Sequence, residues 1–119
     1  MAILACVLVA FVALLHLYFL ILEMFLWTKP LGRKTFGLTE SFANETRALA
    51  ANQGLYNGFL VAGLVWGLLL GPDGFPQKVF FLSCVIVAGA FGGATVNKRI
   101  VLVQAVPAIV ALALVYLSR

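Results

Sequence analysis

This chain of 119 residues is poor in charge, with 8 Lys or Arg, 4 Asp or Glu and a single His. Only 10% of it is charged, against 64% hydrophobic, whereas soluble domains carry about 25% charged residues. That scarcity excludes an ordinary soluble surface. Two cysteines, Cys6 and Cys84, both in apolar runs, make no disulfide framework and read as packing or lipid-facing residues. One histidine is no metal site, and zinc-finger, P-loop and dinucleotide-binding spacings are missing, so no metal or cofactor is implied. The net charge of +4 comes from basic residues that flank apolar runs and form no stripe, which excludes a nucleic-acid surface.

Long apolar runs are what the chain has instead. Four stretches, at about 2–27, 52–70, 77–95 and 100–117, approach or exceed the roughly 20 residues that cross a bilayer. No Lys or Arg precedes the first, and it is too long for the apolar core of a signal peptide. The expected fold is therefore a single all-α domain, residues 1–119, an integral membrane four-helix bundle. Between the first two spans, Pro30, Gly32 and Gly37 break the helix and mark residues 29–38 as a loop. From Thr39 the pattern turns helical again, with Thr39 or Ser41 as the N-cap. Residues 39–51 are too polar for hydrocarbon and predict an interfacial helix or an extension of the second transmembrane helix. Residues 71–76 read as a tight turn. The short link at Asn97, Lys98 and Arg99 makes the last two spans antiparallel neighbours, and Pro107 predicts a kink.

Charge orients the bundle. Lys29, Arg33, Lys34, Arg47, Lys98 and Arg99 share one side, against Lys78 and Arg119 on the other. The positive-inside rule then puts both basic loops in the cytoplasm and both termini outside the cell membrane. This brings a scatter of polar residues to one depth. Glu23 stands near the cytoplasmic end of the first span, and Asn52, Gln53, Tyr56 and Asn57 open the second. Thr95 ends the third, Gln104 begins the fourth, and His16 lies deeper, seven residues before Glu23 on the same helical face. Asn52, Gln53, Tyr56 and Asn57 cover an arc of roughly 140°, more than interhelical bonding needs. Glu23, an acid inside a span, is a functional candidate because burying it is expensive.

Gly54/Gly58, Gly63/Gly67 and Gly89/Gly93 have the spacing that lets membrane helices approach closely, within the chain or between copies in a homo-oligomer. The stretches HLYFLILEMFLW (residues 16–27), RKTFG (33–37) and AANQGLYNGF (50–59), with GAFGGAT (89–95) and QAVP (104–107), resemble a bacterial family of small integral membrane proteins, the domain of unknown function 1304. The resemblance covers essentially the whole chain. It implies the four-span fold and brings no activity with it.

Three kinds of function fit these residues. The first is a cytoplasm-facing intramembrane pocket for a lipid or amphiphilic small molecule. In an enzyme, Glu23, His16 and Tyr56 would serve acid–base chemistry of an isomerase or transferase, and Asn52, Gln53, Asn57, Thr95 and Gln104 would hold the ligand. The second is a proton-coupled carrier using Glu23. The third is a structural subunit of a membrane complex.

Overall fold

A computed structural model describes every residue, Met1–Arg119, and all its regular elements are helical. In chain order they are α1 (Ala2–Met24), α2 (Pro30–Phe36), α3 (Glu40–Glu45), α4 (Arg47–Leu69), a 3-10 turn at Gly71–Gly74, α5 (Phe75–Thr95), a π-helical turn at Val101–Ala105 and α6 (Val106–Leu117). The turn and α5 together, Gly71–Thr95, and α1 are long and apolar enough to cross a membrane. α4 has the length, at 23 residues, but its polar first turns dilute its hydropathy. Val101–Leu117 is apolar but shorter. The chain divides into two units, one of Met1–Leu14 with Ala62–Arg119 and one of Leu15–Val61.

In the first unit the core is made of small and branched residues at helical spacing. Ala5, Val9 and Val12 of α1, Leu64 of α4, Leu82 and Val85 of α5, and Ala105, Ala108, Ala111 and Val115 are all buried. The glycines of α5 let the next segment lie against it. A Cβ at Gly89 would stand 2.7 Å from the backbone nitrogen of Ala105, and one at Gly93 would strike the Val101 side chain. Later residues of α5 thus face earlier residues of the following segment, the antiparallel pairing that so short a link requires. Gly63 packs in the same way on the Phe81 ring.

Where a kink is expected at Pro107, a π-helical turn lies just before it, and the Val106 N–H reaches back to the Val101 carbonyl. Proline has no N–H to give the carbonyl four residues earlier and crowds it, and a wider turn relieves both defects. At the other end of the unit, Lys78 is buried and its Nζ donates to the Gly71 carbonyl at 3.0 Å. The Arg119 guanidinium lies 5.3 Å from the Phe75 ring centroid and 5.2 Å from that of Tyr116. The outward surface is apolar: Ile3, Leu4, Val7, Phe11 and Leu14 of α1, Phe80, Val87 and Phe91 of α5, and Ile109, Val110 and Leu117 of α6 are all exposed.

The second unit contains the rest of α1, the two short helices and the first turns of α4. Here residues 29–38, read as a loop from sequence, are mostly a helix. Pro30 starts α2 rather than breaking it, because its fixed φ and missing N–H suit the first helical position. Gly37 ends α2 with φ at +66°, the left-handed cap that favours glycine. Gly32 is buried against the Leu26 carbonyl, where a Cβ would not fit. Thr39 is the N-cap of α3 and accepts from the Phe42 N–H at 3.1 Å. The polar stretch 39–51 forms a separate short helix, α3, and the first turn of α4 from Arg47. Trp27 ties the fold-back together. Its Nε1 donates to the Thr46 hydroxyl at 3.0 Å, and its ring packs on Phe36 with centroids 5.0 Å apart.

Candidate functional site: a buried carboxylate and its amide

Glu23 is one residue from the C-terminal end of α1 and is buried, with 5% of its surface exposed. Its Oε1 accepts a hydrogen bond from Asn57 Nδ2 at 2.5 Å, across 34 residues of sequence. A glycine makes the approach possible. Gly54 is one turn before Asn57 on α4, and a Cβ there would come within 2.6 Å of Met24 Cγ and 3.2 Å of both Glu23 Cβ and the Leu20 carbonyl oxygen. Any larger residue would separate the helices and with them the carboxyl and the amide. Ala50, Gly54 and Asn57, spaced i, i+4 and i+7, form the inward stripe of the α4 start.

The chemistry of the pair is unbalanced. An amide offers a dipole and no charge, and Glu23 takes part in no ion pair; the salt bridge of this unit joins Arg33 to Glu40 at 3.8 Å. Arg47 forms no ion pair with Glu23. Oε1 is the carboxyl oxygen that meets the amide. A buried carboxyl group held by an amide and by no cation can bind a polar group or exchange a proton. Hydrophobic packing alone would not call for it.

The other residues singled out from sequence are placed as follows. His16 is fully buried and meets Phe19 edge-on at 5.4 Å. Asn52 is exposed and its Nδ2 donates to the Ala48 carbonyl at 3.1 Å within its own helix. Gln53 is exposed, as is Tyr56, whose ring packs on Phe59 at 5.7 Å. Of the polar arc on α4, Asn57 therefore is the member that meets Glu23. Thr95 and Gln104 belong to the first unit: the Thr95 hydroxyl donates to the Phe91 carbonyl at 2.7 Å on an exposed surface, and Gln104 sits half-buried on the π-helical turn. Each of the three glycine pairs is engaged inside the chain: Gly54 and Gly58 against α1, Gly63 and Gly67 against α5, Gly89 and Gly93 against the segment that follows α5.

Sequence reasoning missed the Trp27–Thr46 bond and a small polar cavity beside it. The signal was present in the run Trp27-Thr28-Lys29, an aromatic followed by a hydroxyl and a cation at the end of a span, as interfacial anchors are.

The fold and this pair define a class: a small all-helical protein with helices apolar enough to span a membrane and a carboxyl–amide pair buried where two of its helices touch. The chain belongs to the family described as protein of unknown function (DUF1304), which matches residues 2–116. It is 32% identical over 114 residues to the uncharacterized protein YpaA of Lactococcus lactis subsp. lactis (strain IL1403), covering 94% of this chain and 96% of that relative. No solved structure matches.

Proposed function

We propose that this is a four-span membrane protein whose Glu23–Asn57 pair binds a lipid-like or amphiphilic small molecule from the cytoplasmic side. The spanning segments are α1, the apolar part of α4, α5, and the π turn with α6. What supports a membrane setting is the inside-out distribution of side chains in the first unit, with alanine, glycine and valine inside and large apolar residues outside. Water would not tolerate so continuous an apolar surface, whereas lipid does. The basic residues put α2, α3 and the link after α5 in the cytoplasm, and both termini outside.

The observation that carries the binding site is a buried carboxyl group held by a neutral amide and by no cation. An acyl-chain ligand with a hydroxyl or amide head would complete it. If chemistry follows, Glu23 is the group able to give or take a proton, and His16, on the same face of α1, is the next. The same carboxyl would serve a proton-coupled carrier, but a carrier needs a wettable path to the far side, and the core of the first unit is lined by Val9, Leu64 and Ala111, each with no exposed surface.

Native mass spectrometry of protein extracted in a mild glycoside detergent tests the reading. Wild-type protein should retain a co-purified amphiphile that Glu23→Gln loses, since glutamine keeps shape and hydrogen bonding but not charge. Equal retention by the two proteins would remove Glu23 from the site. A reporter fused to the C-terminus should be silent if it works only in the cytoplasm; activity there would invert the topology.

A further inference from the structure

Beyond the carboxyl–amide pair, the second unit has a cavity of about 130 Å³ between the end of α1 and the start of α4, lined by Met24, Phe25, Trp27, Thr28, Lys29 and Arg47. We infer that this cavity is an anion site for a phosphate group, and that the amphiphile bound at Glu23 is a phosphorylated one. The second clause rests on the proposed function; the first stands on the cavity alone.

The wall is mostly polar, and two of the lining residues are cations. Neither Lys29 nor Arg47 takes part in an ion pair; Glu40 is engaged with Arg33 and Glu23 with Asn57, and Glu45, two residues before Arg47, is exposed. Arg47 is the first residue of α4, so the cavity adjoins the positive end of a 23-residue helix. A guanidinium, an ammonium, the Thr28 hydroxyl and a helix N-terminus together make a donor set suited to tetrahedral oxyanions.

The Trp27 indole does not compete for that anion, because its N–H is already given to Thr46. The space holds several waters' worth of volume, enough for a phosphate group. On the apolar side, Met24 lines the cavity and directly follows Glu23 in sequence, and Phe25, also in the wall, is exposed. An apolar chain attached to the phosphate would find these two side chains at the rim. A phosphate could equally arrive free from solution, and the test separates the two sources.

Trp27 reports on the cavity directly. In a Trp66→Phe background it is the one tryptophan left, since the chain has two. Protein in dodecyl maltoside is titrated with dodecyl phosphate, inorganic phosphate and dodecanol while its emission is followed. Dodecyl phosphate should give a saturable shift. Lys29→Gln/Arg47→Gln should weaken it by at least about tenfold, and Lys29→Arg/Arg47→Lys should hold affinity within about threefold, because charge rather than shape is the main attraction. Far-UV circular dichroism checks that each variant is folded, and both pairs alter exposed residues. A matching shift from inorganic phosphate assigns the site to free phosphate; silence from it, with dodecyl phosphate active, assigns it to the amphiphile. The inference is overturned if neither phosphate shifts Trp27, or if the glutamine pair binds as tightly as the parent. Dodecanol binding that depends on Glu23 while phosphate adds nothing would end the anion site and leave the intramembrane reading in place. Inorganic phosphate binding with no amphiphile bound would do the reverse.

Discussion

The two units of this chain solve the packing problem in opposite ways. The first, Met1–Leu14 with Ala62–Arg119, is held by close backbone approach. Glycines and alanines line its contacts, and its buried apolar residues are small or branched. Its polar side chains mostly bond within their own helix, as Ser83 does to the Val79 carbonyl and Thr95 to that of Phe91. The second, Leu15–Val61, has specific polar contacts that bridge distant residues: Asn57 to Glu23 and Trp27 to Thr46. One is a closely packed scaffold with large apolar side chains on its outside. The other is the place where a buried charge-bearing group has been kept despite its cost. Dry packing needs only shape, whereas a buried polar network needs partners.

The contrast can be broken most strongly in the first unit. Gly89→Val would push a branched side chain into the backbone of Ala105, which cannot move aside as a flexible side chain can. We expect a loss of about 3 kcal/mol, the upper part of the overpacking range, read as a lower unfolding midpoint in detergent. Little change would mean that the close approach at Gly89 is not what holds α5 to the following segment.

In the second unit the expected effect is smaller and directional. Asn57→Leu removes the donor and leaves Glu23 buried without it, which should cost about 1–3 kcal/mol. Glu23→Gln leaves an acceptor for the Asn57 amide and should cost less than Asn57→Leu does. A double-mutant cycle between the two positions should show coupling of at least about 0.5 kcal/mol. Additive losses would dissolve the pair as a unit.

The smallest expected signal is none at all. Cysteines placed singly at Val9, Leu64 and Ala111, in a background without Cys6 and Cys84, should stay unlabelled by a membrane-impermeant thiol reagent added from outside. Labelling that appears with a bound amphiphile would show the first unit opening, and would favour a carrier over a closed site.

How much of this could be read from residues alone differs by level. The helices that carry the apolar runs were legible, because the length and hydropathy of a run do not depend on its neighbours. Thr39 was legible as one of two possible caps, since capping is local chemistry. Glu23 stood out because a carboxyl group in an apolar run is expensive wherever it lies. Pro30 misled, because the same residue ends a helix in its interior and begins one at its first position, and only the chain path tells which. The π-helical turn before Pro107 was equally hidden: a kink was expected, but its form depends on what packs against it.

Which member of the polar arc would meet Glu23 could not be had from spacing. Asn52, Gln53, Tyr56 and Asn57 cover too wide an arc for one neighbouring helix, so the rotation of α4 about its axis had to choose among them. Gly54 makes that choice by allowing contact on one line of the surface, and Asn57 is the polar residue on that line. The cavity at Lys29 and Arg47 was out of reach for the same reason. Those residues are 18 positions apart in sequence, and they meet at one cavity because Trp27, Thr46 and the two short helices fold the chain back on itself. Composition and run length act residue by residue, so a sequence carries them openly. Proximity between distant side chains exists only once backbones have packed.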